Sequence, residues 1–490
     1  MGYYRHGVYI SEVPTSITPP VNVSAGLIVA FGTSPINQLD NPSSAVNKPI
    51  IAYTYAEAVS KMGFSTNFDK YTLSEVIKVA FGIYGVAPVV FINVLDPAKH
   101  KADIADEAIK LSGGKATLAK DGVLYDSVVV KTAGDNAAPL SVDTDYILAL
   151  DDDGYTVITA ITGGAIKEKD AALTVSYTHL DPDAVTKDDI IGGVDLNTKL
   201  NTGLELLADV YPRFKLVPGQ VIAPGFSSDS EVGQLMATKS ALISELFKAE
   251  ALTDAPTDKA IISDYSAVPE WKQNNNQLAA NQTVCWPMVK LGDTLYHHST
   301  HLAAATCLMD SKNGDVPSRS PSNITLQMDG AVRKDGSEIW LNNSQANYLN
   351  GQGIVTSLNF DGWKSWGNRT AIYPKTTDPK DSFRVGRRMF NWTGNTLILT
   401  HWSKIDNPAN RRLIESVVTS ANIWFNGLTG NQDIAGGSVA FNQSDNPTTA
   451  LMDGIVKFHV KFTPYSPARD IEFIMEYNPD YLLNLFSSDN

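Results

Sequence analysis

Few of the reactive side chains in this sequence stand at spacings that perform chemistry. A serine nucleophile on a strand-to-helix elbow needs Gly-x-Ser-x-Gly, and the tract Gly225-Phe226-Ser227-Ser228-Asp229 lacks the closing glycine. His297, His298 and His301 are the most suggestive cluster, because on a helix His297 and His301 share a face at metal-ligand spacing. No glutamate follows His297 to act as the base of a His-Glu-x-x-His site. Ser299-Thr300 also reads as a helix start that leaves His297 outside. These histidines are therefore expected to be packed or solvated. Asp151-Asp152-Asp153-Gly154 opens like a calcium loop, but Thr162 stands where a bidentate glutamate must close it, so an acidic turn fits better. Gly113-Gly114-Lys115 lacks the first glycine of a phosphate-binding loop, and Gly351-x-Gly353 lacks the third glycine of a dinucleotide fingerprint. The expectation is no enzyme, no catalytic residue, no cofactor and no metal. A serine hydrolase assembled only in space stays as the alternative, since sequence does not show spatial convergence.

Basic residues gather once, at Arg384, Arg387, Arg388, Arg411 and Arg412. Two readings stand side by side: solvated helix ends, or an electrostatic contact with an acidic protein partner, where charge sets register more than affinity. Nucleic acid is a poor candidate, because no aromatics interleave the cluster and the chain carries a net charge of −14. Cys285 and Cys307 are too few for a disulfide framework and fit core thiols made in a reducing cytosol. Met1 to His6 opens no apolar signal segment. The most apolar window, Val79 to Leu95, is broken by Gly82, Gly85 and Pro88, so no membrane insertion is expected. A protein of this kind would leave its cell by lysis or as part of a particle.

The elements that must position these residues read as several units, as a 490-residue chain requires. Residues 1–22 form an extended arm, because Pro14, Pro19 and Pro20 exclude a helix, and Val8, Tyr9, Ile10, Ser11, Glu12 and Val13 make a β-prone run with no local partner. Residues 23–114 read as α/β: a strand at Ala25–Phe31, a helix opened by a Thr72/Glu75 capping box, and a strand at Val89–Leu95. Residues 115–190 hold six lysines, no arginine and fourteen acids, with no Trp or Phe and period-two alternation. That is the pattern of an inserted, acidic, small all-β domain facing outward. Residues 191–375 return to α/β, with helices marked by Leu200–Val210 and Val232–Phe247, strands at Lys259–Ser263 and Thr283–Trp286, and a helix from Thr300 to Met309. All eight tryptophans lie between Trp271 and Trp424, so the largest aromatic core belongs to this half. Residues 376–477 are α+β, with a helix over Asn410–Asn426 and strands at Val456–Phe462 and Asp470–Tyr477. A short arm, 478–490, ends the chain with Leu482, Leu483, Leu485 and Phe486 unassigned.

One block combines shape-forming residues with no catalytic set: Ala346-Asn347-Tyr348-Leu349-Asn350, Gly353-Ile354-Val355 and Trp366-Gly367-Asn368-Arg369-Thr370. Trp366 and Arg369 are expected in the structural core, with the guanidinium's five fixed donors pinning backbone. The block resembles the core of contractile-tail sheath proteins from phages and phage-derived bacteriocins. Tyr4–Glu12, Tyr211-Pro212 with Gln220–Gly225, Ser320–Asn323 and Arg411–Ser416 continue the resemblance in collinear order over most of the chain outside 115–190.

The resemblance implies a subtilisin-like α/β central domain over 191–375 serving as a scaffold, and a C-terminal region over 376–477 touching a tail tube. It implies a helical homopolymer of stacked rings around that tube, with baseplate and tail terminator proteins as further partners. Such a sheath is assembled in the host cytoplasm as part of a virion tail. It would be metastable when extended and contract downhill, driving the tube through the host envelope without nucleotide hydrolysis. Val8–Val13 would be donated to an edge such as Ile471, Glu472, Phe473, Ile474 and Met475 of a neighbour, and the arginine cluster would face tube or neighbour. A type VI secretion sheath is the nearer rival.

Overall fold

The computed structural model describes residues 24–132, 138–151, 153–196 and 198–483. The arm strand expected at Val8–Val13, and Leu485 and Phe486 of the tail, lie outside them. Six parallel strands form the centre of an eight-stranded sheet, in the order Ile354–Asn359, Gln282–Cys285, Glu250–Asp254, Gln220–Ile222, Ile28–Gly32 and Val89–Asn93. Trp363–Trp366 and Pro49–Ala52 close the two edges antiparallel. The central strands are buried along their length, as strands covered on both faces must be. The winding reverses between Ile28–Gly32 and Gln220–Ile222, which makes that pair the topological switch point.

Helix His298–Lys312 packs beneath this sheet through Ala303, Ala304 and Ala305, whose small side chains allow a close approach. Gly26 is needed there, since a Cβ would stand 2.9 Å from the Cα of Cys307. Both cysteines are buried and unbonded. Burial pushes the Cys307 thiol up to about 12.

Between the first sheet strands and the switch point the chain leaves the core and returns. Lys101–Lys110, Ala172–Leu180 and Val129–Thr132 form one antiparallel sheet. Lys115–Asp121, Tyr155–Ala160 and Tyr146–Leu150 form a second. Leu118, Val130, Tyr146, Ile158 and Val175 make a separate small core between them. The unit starts earlier than the composition suggested, because Lys101–Lys110 pairs along Ala172–Leu180. It also ends earlier, since Ile190 already belongs to the main core. Lys70–Asp121 (2.9 Å) ties it to the sheet domain.

Two other expectations are corrected. Lys259–Ser263 is a turn and not a strand. The Arg333 guanidinium donates to the carbonyls of Ile262 (2.7 Å) and Ser263 (2.8 Å), so no ladder is needed to satisfy them. The strand in that place is Glu250–Asp254. Asp470–Tyr477 forms no strand and pairs with none among the described residues. The C-terminal hairpin consists of Ile434–Ala440 and His459–Pro464, packed on helix Arg411–Gly430 through Phe425 and Phe462.

The arginine cluster does not act as one surface. Arg384 and Arg388, on helix Arg384–His401, are buried, so a partner contact or a solvated helix end is ruled out for both. Arg384 Nε donates to Glu250 Oε1 at 2.7 Å, and Nη2 reaches Oε2 at 3.1 Å. Arg388 lies 3.3 Å from the same carboxylate, forks onto Asp310, and donates to the Ala25 carbonyl at 3.3 Å. Thr283 Oγ1 donates to Glu250 at 2.6 Å. Burial by itself would raise the Glu250 carboxyl, but Arg384, then Arg388 and the Thr283 hydroxyl, hold it below its usual range.

Breaking such a pair leaves an uncompensated buried charge, which costs about 3–5 kcal/mol. Glu250→Gln is therefore expected to lower the unfolding free energy by that amount in urea denaturation followed by tryptophan fluorescence. A loss under about 1 kcal/mol would show that water reaches the network.

Candidate functional site

Open parallel sheets take ligands beyond the carboxyl ends of the strands, where the winding reverses. Here that crevice lies past Gly32 and Ile222, and the chain's own side chains fill it. Thr72 Oγ1 accepts the Thr33 N–H (3.3 Å), while Thr33 Oγ1 accepts the Thr72 N–H (3.2 Å) and donates to the Lys70 carbonyl (2.6 Å). Gly225, at φ +82°, lets the chain pass over this plug, since a Cβ there would meet Thr72 at 3.0 Å. The expected Thr72/Glu75 capping box does not form: Tyr71 occupies the N-cap, without a side-chain bond. Both side chains are instead used across the crevice. The buried Glu75 carboxylate accepts the His297 N–H (2.8 Å) and pairs with His297 Nδ1 (2.7 Å).

The hydrolase alternative meets the same closure. Asp254, at the end of its strand, accepts from the Ser299 N–H (2.8 Å), the Ser299 hydroxyl and the Ser227 hydroxyl. Ser299 is fully buried, and no imidazole stands between it and the carboxylate. His297 is engaged by Glu75, His298 Nδ1 sits 3.1 Å from the Pro287 carbonyl, and His301 Nδ1 sits 3.2 Å from the Tyr84 hydroxyl. Burial pushes His298 down to about 4 and His301 down to about 3, so both are neutral. A serine with no adjacent base and no path to solvent is not an activated nucleophile. Asp151 accepts the N–H groups of Asp153 and Tyr155, which closes an acidic turn. Among the described residues no group of three or more His, Cys, Asp or Glu side chains is placed to hold a metal.

The Trp366–Thr370 turn is open on one side. Trp366 is half-buried and donates from Nε1 to Asn347 Oδ1 (3.0 Å). Arg369 does not pin backbone. Its guanidinium lies over the rings of Phe383 (3.8 Å) and Tyr373 (4.2 Å) and donates once, to Ser382 Oγ (2.9 Å). The backbone is pinned by Lys272, which donates from Nζ to the Gln352 carbonyl (2.5 Å) and the Tyr373 carbonyl (3.0 Å). Burial, with Lys375 nearby, pushes the Lys272 ammonium down to about 7. Nothing in the sequence around Lys272 distinguishes it from a surface lysine on a helix. Beside the turn lies a cleft of about 540 Å³ between this block and the chain leaving the C-terminal hairpin at Pro467–Asp470.

The remaining predicted residues are dispersed. Arg387 is half-buried and paired with Asp381 (2.8 Å). Arg411 and Arg412 are exposed at the start of their helix, Arg411 bonded to Glu415 (2.6 Å). Ile471, Phe473, Ile474 and Met475 are 70%, 86%, 87% and 94% exposed, in a segment of no regular structure that has no strand partner among the described residues.

No family model matches the chain. It is 28% identical over 493 residues to the tail sheath protein of Burkholderia phage BcepMu, covering 98% of each. It is 26% identical over 319 residues to the tail sheath protein of Escherichia phage P2, covering 63% of this chain and 75% of that one. The fold matches the contracted sheath complex of an extracellular contractile injection system, PVC, with a TM-score of 0.57 at 15% identity, covering 98% and 99% of the two chains. The resemblance read from the sequence therefore runs the length of the chain.

The plug carries its own pH signature. Burial would lower His297, but the Glu75 carboxylate outweighs it and raises the imidazole to about 9. The pair then stabilises the fold fully below about pH 6.5 and loses that contribution as pH rises through about 9. Lys272 has the opposite sign, since its depressed value makes stability rise between about pH 7 and 10.5. Subtracting Glu75→Gln from wild type cancels the lysine. The difference is expected to be on the order of 3 kcal/mol at pH 6 and to shrink as pH rises from about 6.5 until little is left above about 9, read by chemical denaturation at each pH. A difference that does not change with pH rejects the charged pair.

Proposed function

We infer that this chain is a structural subunit of a contractile tail sheath, a non-enzymatic protein that polymerises with copies of itself. The observation that carries this reading is the match along nearly the whole chain to a phage tail sheath protein. The likeness in fold to a sheath solved in its contracted state supports it. The closed switch point agrees, because the place where such sheets put a ligand is packed with Thr72, Glu75 and His297. The hydrolase alternative has no support from the relatives. If it were correct, a serine-directed fluorophosphonate probe would label the native protein. The buried Ser299 predicts no labelling.

In finer terms, residues 191–375 act as a subtilisin-like scaffold and the acidic β unit projects outward. Residues 376–477 face a tail tube, with the exposed Arg411 and Arg412 as its cationic contacts and baseplate and terminator proteins at the ends. The subunits form stacked rings that are metastable when extended. Contraction to a more buried packing drives the tube forward without nucleotide chemistry. Assembly is by donated strands: Val8–Val13 of one copy against Ile471–Met475 of another. Each added backbone hydrogen bond contributes only about 1 kcal/mol, but the exposed Ile471, Phe473 and Met475 gain about 1.5–3 kcal/mol apiece when covered.

Deleting residues 1–13 is accordingly expected to leave a folded subunit, with unchanged circular dichroism and melting temperature, that no longer forms tubes or rings in negative-stain micrographs. Normal polymers from the truncated chain would sink the donated-strand scheme.

A further inference from the structure

The cleft beside Trp366 carries positive charge that no carboxylate of the described residues neutralises. Arg369 and Arg469 both line it, and neither guanidinium is paired with a carboxylate among the described residues. The two are close enough that the charge of Arg469 adds to burial in lowering Arg369. Asp470 is the only acid lining it among the described residues, which leaves the cleft cationic in a chain whose net charge is −14. Asn323, Asn347 and Asn368 are among the other lining residues, and the Asn323 and Asn368 amides and the Asn347 amide nitrogen can bond a peptide backbone as a bare anion site need not.

We propose that this cleft binds an acidic side chain of a second copy of the chain, its carboxylate held between Arg369 and Arg469 and its flanking backbone held by the asparagine amides. The chemistry favours this occupant. Planar guanidiniums bind carboxylates in a forked geometry. Each copy carries 53 acidic side chains against 39 basic ones, so copies present carboxylates to one another. The second copy as the source rests on the sheath reading. The carboxylate chemistry of the cleft does not. Because the contact lies at a rim, it sets register and salt sensitivity more than total affinity.

Arg469 is the residue to change, because it is exposed and makes no side-chain bond among the described residues, whereas Arg369 also stacks on Phe383 and Tyr373. Arg469→Ala, Arg469→Glu and Arg469→Lys are compared with wild type in the full chain. One assay measures binding of a fluorescein-labelled tetraglutamate peptide by anisotropy at low and moderate salt. The other measures the critical concentration for polymerisation by pelleting. Wild type is expected to bind the peptide, and Arg469→Glu to weaken it at least tenfold. The same variant should raise the critical concentration about tenfold, Arg469→Lys should recover most of both, and the melting temperature should stay unchanged. Equal peptide binding by wild type and Arg469→Glu, or none by wild type, overturns the carboxylate site. Peptide binding lost while polymerisation stays normal overturns the second copy as occupant. A wild type that binds peptide but never polymerises counts against the sheath reading and leaves the carboxylate chemistry standing. Inorganic phosphate competing as well as the unlabelled peptide at equal ionic strength overturns the role given to the asparagines.

Discussion

Two guanidiniums and two carboxylates sealed beneath the sheet govern how the parts of this molecule are joined. Glu250 belongs to the central strand Glu250–Asp254, Asp310 to the helix beneath it, and Arg384 and Arg388 to the first turns of helix Arg384–His401. Their mutual attraction stabilises the arrangement only while all four are present, since each is buried and has no water to fall back on. Arg388 also holds the carbonyl of Ala25, close to where the described chain begins. One side chain thus links the root of the N-terminal region to the helix that starts the C-terminal region. A relative movement of these two would strand a charge, so they move together or not at all.

The same closure recurs at the carboxyl edge of the sheet. A doubly wound sheet offers a crevice there on geometric grounds alone, and evolution often fills it with a ligand. In this chain the crevice is filled by the chain's own side chains, Thr72 hydrogen-bonding back to Thr33 and Glu75 reaching across to His297. Glu75 with His297, and Asp254 with Ser227 and Ser299, are satisfied by one another. What the fold leaves exposed lies at its margins: the apolar segment at Ile471–Met475, the arginines at the start of helix Arg411–Gly430, and the cationic cleft beside Trp366.

How much of this could be read in the sequence depended on the range of the interaction. The strands at Ile28–Gly32 and Val89–Asn93 and the helix over Arg411–Gly430 were legible, because apolar periodicity is a local property. The alternating β segments were legible too, but their limit was not, since Lys101–Lys110 carries ordinary charged residues and is fixed only by its partner seventy residues on. Long-range polar pairing leaves no such local trace. Arg384 and Arg388 look like surface charge until Glu250 and Asp310 are brought to them, and Thr72 and Glu75 look like a helix cap until His297 arrives. The conspicuous Arg369 was given a task that Lys272 performs, because a buried lysine leaves no mark on the residues beside it.

The energetics of the margins bear on which contacts a moving sheath would keep. Docking a neighbour's strand on Ile471, Phe473 and Met475 buries apolar surface that contributes several kcal/mol, with a ladder of hydrogen bonds added to it. Rim contacts such as Arg411 or the cleft contribute about 1 kcal/mol or less each and are screened by salt. A polymer joined by both kinds of contact changes shape by giving up the second kind first. On the sheath reading, strand links persist through contraction as tethers, rigid bodies turn about them, and the stored energy lies in the many weak polar contacts that distinguish one packing from the other. On the same reading the buried charge network would keep the subunit from absorbing that strain internally, so that the strain is relieved between subunits.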